Sequence, residues 1–148
     1  MSAEENKTLV QRFFDEVCNA RKLDVADELF TTDHSYHDPS IPGVSPGPEG
    51  MKQTIAVYQT GFPDAFWHVD DMFVADDKVV TRWTGTGTQT AELPGNPPIP
   101  PTGKKVSVAG VWIHRVAGGK IVESWGNFDQ LGLLQQIGLL ATFANRPV

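Results

Sequence analysis

Apolar positions recur at two periods along the chain, and the switch between them divides it into a helical front and a strand-rich back. Leu9, Val10, Phe13, Phe14 and Val17 return every three or four residues, the spacing of one helix face. Ser2-Ala3-Glu4-Glu5 has the form of a capping box, so a helix is expected over about residues 3–20. Cys18 lies on the same stripe and reads as a small core residue. Asp24 is placed to cap a short second helix carrying Val25, Leu29 and Phe30. HSYHDP then reads as a short strand closed by Pro39, and SIPGVSPGP as a loop. Pro48 and Glu49 open a third helix, with Met51, Ile55 and Tyr58 on one face.

From Phe66 onward the pattern is that of strands. FWHVDDMFVADDKVV gives two β runs around a turn at Asp76-Asp77. VVTRWTGTGTQTAEL is a long, Thr-rich strand, and KVSVAGVWIHRVAGGKIVESWGNF is a hairpin turning at Gly118-Gly119. Asp129 opens a short last helix with Leu131, Leu134 and Ile137 inside and Gly138 as its stop. Helices first, then an antiparallel meander, define an α+β fold in a single domain spanning residues 1–148. LPGNPPIPPTGKK holds five prolines in eight residues and reads as a stiff connection between strands, with a polyproline ligand as the other reading. TGTGTQT lacks the third glycine and the following helix of a phosphate loop.

Bulk properties narrow the function classes. A chain of 148 residues suits one domain. Such a domain buries roughly 68–70% of its unfolded surface and needs neither disulfide nor metal to hold a core. With one cysteine there is no internal bridge. No apolar run approaches the ~18 residues of a membrane span, and MSAEENK has no apolar leader, so the expected location is cytoplasmic. A net charge of −6 disfavours nucleic acid or an anionic membrane as partner.

The order of parts, with RWTGTGTQT, PPTGK, GGKIVESW and D-QLGLLQQIG in register, resembles the SnoaL-like polyketide cyclases (ester cyclases) of the nuclear transport factor two-like superfamily. The resemblance covers nearly the whole chain. It implies a cone-shaped α+β barrel: three N-terminal helices on a curved, mainly antiparallel sheet around one deep apolar pocket, closed by a short C-terminal helix. It implies ring closure by intramolecular aldol condensation on a small apolar or polyketide-like substrate, with no metal or organic cofactor. It places the acid/base at Asp129, four residues past Trp125. The family often has His where Gln89 stands.

Strand alternation puts Glu123, Trp125, Asn127 and Asp129 on one face, an aromatic wall beside an amide and a carboxyl. Trp112 and His114 share a face of the neighbouring strand, which the resemblance points inward. Asp129 is also a well-formed helix N-cap, and on residues alone capping and acid/base roles stand level. Asp38 falls where ketosteroid isomerases of the superfamily keep their base. Its neighbour His37 joins it as a catalytic candidate, and Tyr36 shares its face. His34 and His37 point to opposite faces of a strand, which disfavours a metal site. Arg82, if buried, needs Asp38 or Asp129 as partner. An isomerase would need an oxyanion pair where Phe14 and Trp112 stand. A limonene-type epoxide hydrolase would need carboxylates where Thr84 and Asn127 stand. A non-catalytic binder of apolar ligands is the alternative of a different class. Ala109, Val111 and Ile113 alternate on the face opposite Trp112, so a homodimer is expected.

Overall fold

The computed structural model describes residues 2–140. Within them run α1 (Ala3–Arg12), α2 (Ala26–Leu29), β1 (Phe30–His37), α3 (Pro48–Gly61), β2 (Phe66–Ala75), β3 (Lys78–Thr88), β4 (Lys105–Ala117), β5 (Lys120–Phe128) and α4 (Gln130–Gln136). The capping box at Ser2 is formed: its hydroxyl accepts the Glu5 N–H at 3.1 Å, and the Glu5 carboxylate faces the Ser2 N–H at 3.4 Å. After Arg12 the helix widens into a π-helix, Phe13–Asn19. A wider turn rotates successive residues by less, so Phe13, Phe14, Val17 and Cys18 all enter the core. Asp24 does not cap a second helix. It lies in a 3₁₀ turn, Leu23–Val25, and its side chain meets Lys52 at 3.4 Å, while Phe30 already begins β1.

The five strands form one sheet in the order β1-β5-β4-β3-β2. The three meander pairings are antiparallel and only β1–β5 is parallel, so the sheet is mixed and mainly antiparallel, as expected. The tight turns sit where the sequence places them, with positive φ at Asp76 (55°), Gly118 (58°) and Gly119 (78°). The β4–β5 ladder steps from Val116↔Ile121 to Arg115↔Glu123, which leaves Val122 as an extra residue in a bulge.

The larger core joins Val10, Phe13 and Phe14 to Phe30, Trp112 and Ile121. A second, under α4, holds Phe62, Val106, Val108, Leu133 and Ile137. Leu131 is not inside; it is exposed, and Leu133 takes the buried place. Gly138 ends this turn at φ 88°. The proline-rich connection folds back on itself through a Leu93–Ile99 bridge, each N–H bonding the other carbonyl at 2.9 Å. Gln89 anchors it from a fully buried position. Its amide donates to the carbonyls of Ala91 and Pro100 at 3.1 and 3.0 Å and accepts from the Thr102 N–H and hydroxyl at 3.1 and 2.6 Å. All four bonds serve the loop, which gives Gln89 a structural role.

Candidate active site

Tyr36 is the penultimate residue of β1 and stands two residues before Asp38, so both project to the same side, and the strand ends at His37 ahead of Asp38-Pro39. The Tyr36 hydroxyl donates to Asp38 Oδ2 at 2.8 Å. It accepts from Trp112 Nε1 at 2.8 Å, across 76 residues of chain. The other carboxylate oxygen takes the Ser40 N–H and hydroxyl at 2.9 and 2.6 Å. A relay Trp112–Tyr36–Asp38 thus fixes a half-buried carboxylate. Gly126 leaves room for it, since a Cβ there would lie 2.2 Å from the Tyr36 hydroxyl and 2.6 Å from Trp112 Nε1.

This carboxylate opens into a cavity of about 70 Å³ between α3 and the covered face of the sheet. Trp67, Trp83, Val108 and Trp112 supply its sheet side, and Ile55 and Phe62 its helix side. Phe128 and Leu133 line it from the α4 end. Trp83 lies over Gly110, its cross-strand partner, and tilts against Trp112 with centroids 5.0 Å apart. Tyr58, edge-on to Phe128 at 5.8 Å, brings a second phenol whose pKa burial, and then Asp38, push up to about 12. Burial likewise pushes the Tyr36 phenol up, so both tyrosines are protonated donors at neutral pH.

Of the residues singled out in the sequence, the structure brings Tyr36, Asp38, Trp112 and Asn127 to this cavity. Others fall elsewhere. Arg82 is an exposed side chain on the opposite face of the sheet, 3.7 Å from Asp70, and meets neither Asp38 nor Asp129. Its neighbour Trp83 takes the inward place, which strand alternation alone could have revealed. The bulge at Val122 turns Ser124 and Gly126 inward, and Trp125 stacks on His37 outside at 5.6 Å. His37 bonds Glu123 at 2.8 Å on that outer face, and this bond, aided by Arg115, holds the Glu123 carboxyl below its usual range. Phe14 and His114 are core residues behind Trp112, not cavity walls. Burial depresses the His114 pKa to about 3 and that of His34, which bonds Ser124 at 2.8 Å, to about 4. Asp129 is the N-cap of α4: Oδ1 accepts the Gly132 N–H at 2.8 Å. It is exposed and does not line the cavity, although Phe128 before it and Leu133 after it do. Thr54 and Ile55 of α3, and Phe62 just after it, carried no legible chemistry, because apolar walls look like core in a sequence.

Among the described residues, no group of three His, Cys, Asp or Glu side chains could hold a metal ion. No described helix is long and apolar enough to cross a membrane.

The mixed five-stranded sheet with helices packed on one face is the nuclear transport factor two-like, ketosteroid isomerase-like fold. Within it the chain belongs to the SnoaL-like polyketide cyclase family, whose model matches residues 8–137. A candidate SnoaL-like polyketide cyclase from Jannaschia sp. CCS1 is 30% identical, with a TM-score of 0.81 over 91% of this chain and 92% of that one. TsrD from Streptomyces laurentii is 28% identical, with a TM-score of 0.81 over 95% of this chain and 99% of its own. A protein of ketosteroid isomerase-like fold from Catenulispora acidiphila, 18% identical with a TM-score of 0.72 over 90% of this chain and 94% of its own, shares the fold. No curated protein matches the chain.

Proposed function

We propose that the protein closes a ring in a small, largely apolar β-keto ester or related polyketide by intramolecular aldol condensation, with Asp38 as general acid/base. The observation that carries this reading is the relay Trp112–Tyr36–Asp38, which aims a carboxylate into an otherwise apolar cavity. Asp38 takes a proton from a carbon flanked by carbonyls. The resulting enolate carbon bonds to a second carbonyl carbon of the same molecule. That carbonyl oxygen gathers the electron pair and receives the proton back from Asp38, so no atom is gained or lost. A positioned acid/base contributes roughly 10²–10⁴-fold. The proton cycle closes on one carboxyl group and asks nothing of a metal or organic cofactor; a chelator should leave turnover intact.

A second reading keeps ring closure but gives the proton to Asp129. Its support is the family resemblance together with its position between two cavity-lining residues, Phe128 and Leu133. The test offers a linear polyketide ester with an activated methylene to the Asp38→Asn and Asp129→Asn proteins. Loss of turnover in the first alone supports Asp38, loss in the second alone moves the role to Asp129, and no turnover by the unaltered protein favours a non-catalytic binder.

The active unit is a homodimer packed through the open sheet face. There Phe73, Val80, Ile113 and Trp125 stand side by side across β2, β3, β4 and β5, with Phe73 52% exposed. An apolar row of this length wants cover. Light scattering should give a dimer at micromolar concentration and a monomer for Ile113→Glu; a monomeric unaltered protein would refute it.

A further inference from the structure

The cavity beside Asp38 is small for the substrate just described. At about 70 Å³ it is well below the roughly 300–1,000 Å³ of sites that enclose drug-sized ligands. A second, more open cavity of about 220 Å³ lies on the other side of the same stretch of α3. Its walls are Ile41, Pro42 and Val44 from the loop after β1, and Gln53 and Val57 from α3. Thr54 and Tyr58 line both cavities, so one turn of helix is the partition between them. Thr54 is locked, its hydroxyl donating to the Gly50 carbonyl at 2.8 Å. No hydrogen bond ties the Tyr58 hydroxyl among the described residues. The loop wall is pinned close: a Cβ at Gly50 would lie 1.9 Å from the Ser45 carbonyl oxygen and 2.5 Å from Val44.

Resting on the ring-closing reading, we infer that the second cavity is a tail subsite. It holds an unbranched apolar ester or acyl chain, while the β-keto head sits beside Asp38 and the chain passes Tyr58. The lining supports an apolar chain over a charged one. Of the seven residues that line this cavity alone, only Gln53 has a polar side chain, and it is an uncharged amide. Tyr58 is then the residue that admits the tail, because it is the untethered member of the partition.

Calorimetric titration with methyl, butyl and octyl acetoacetate tests this, since the head is constant and only the tail grows. Each buried methylene favours binding by about a fewfold. The octyl ester should bind at least tenfold tighter than the methyl ester. Gln53→Trp, which fills the groove from an exposed position, and Ile41→Asp, which charges it, should cut that ratio below about twofold, with circular dichroism confirming each fold. Binding of the methyl ester with no gain along the series overturns the tail subsite and leaves ring closure standing. An octyl preference that survives in both folded variants also overturns it. Binding of no ester removes the head site as well, and both readings fall together.

Discussion

Asp38 and Asp129 follow the ends of two neighbouring parallel strands, β1 and β5, at the same end of the sheet. Their surroundings differ in kind. Asp129 is held by its own helix, through an N–H three residues on, and faces water. Asp38 is held by Ser40 in its own turn and by Tyr36, whose hydroxyl is in turn tied to Trp112 on the central strand β4, and it faces an apolar cavity. A carboxylate satisfied by local backbone serves the fold wherever it sits. One whose bracing tyrosine is itself tied to a distant strand, and which faces a cavity, is under the proposed function the group that meets the substrate. The contrast separates capping from chemistry better than residue type does, and it can be broken by experiment.

The largest effect expected is on turnover. Asp38→Asn keeps the shape and the Tyr36 and Ser40 neighbours but cannot trade protons at neutral pH, so kcat should fall by about 10²–10⁴-fold. Asp129→Asn, which caps about as well as Asp, should stay within about threefold of the unaltered protein. Equal losses in both steady-state assays would erase the distinction.

Next in size is a pH effect that limits where the comparison can be made. His34 and His114 are buried and neutral, with pKa values depressed to about 4 and 3. Both ring nitrogens of His114, and Nδ1 of His34, lack hydrogen-bond partners among the described residues. Below the unfolded value of about 6.5 the unfolded chain binds protons that the folded one refuses, so stability falls as pH drops from about 6.5 towards 4. The loss should be on the order of a few kcal/mol, read as a shift of the urea midpoint, and roughly halved in His114→Phe, where His34 carries the rest. A midpoint flat across this window would show that both histidines protonate without unfolding. Turnover of the two aspartate variants should therefore be compared above pH 6.5.

A smaller effect probes the brace itself. Trp112→Phe removes the donor to Tyr36 and should lower kcat by about fivefold, the worth of one hydrogen bond of ~1 kcal/mol. In an Asp38→Asn background the same change should add nothing, because the brace acts only through that carboxylate. Full additivity in the double variant would make Trp112 a wall and not a brace. The smallest expected change is in stability. Asp129→Ala should cost about 1 kcal/mol in chemical denaturation, with Asp129→Asn near zero. A destabilised Asn variant would mean that the charge, and not the cap, matters there.

Local signals in the sequence located the elements well. The Ser2 capping box, the turns at Asp76-Asp77 and Gly118-Gly119, and the Gly138 stop rest on short-range chemistry, and each is where it was expected. Facing was harder. Counting alternately from Ile121, which is buried, puts Glu123 and Trp125 inside; the extra residue at Val122 reverses the phase and sends both out. No composition signal marks that bulge, since it is set by pairing with β4. In β3 the information is present in the alternation: Val79, Thr81 and Trp83 are the buried series, which puts Arg82 outside. In α4, LGLLQQIG offers leucines on every side of a short helix, and only packing against Phe62 and Val108 selects Leu133 over Leu131. The cavity was legible only at its polar points, Tyr36, Asp38, Trp112 and Asn127.

The parallel pairing of β1 with β5 also orders events in time. Phe30 meets Ile121 and His37 meets Trp125, so a strand made early in synthesis finds its neighbour only after nearly the whole chain exists. Until then β1 is an unpaired edge, and Tyr36 and Asp38 have no wall to stand against. Long-range closure of this sort slows folding and prolongs exposure of apolar segments. A chain stopped at Gly119 should accordingly be cut rapidly by protease around β1, and the full chain should not; equal resistance would mean that the first half holds itself together without β5.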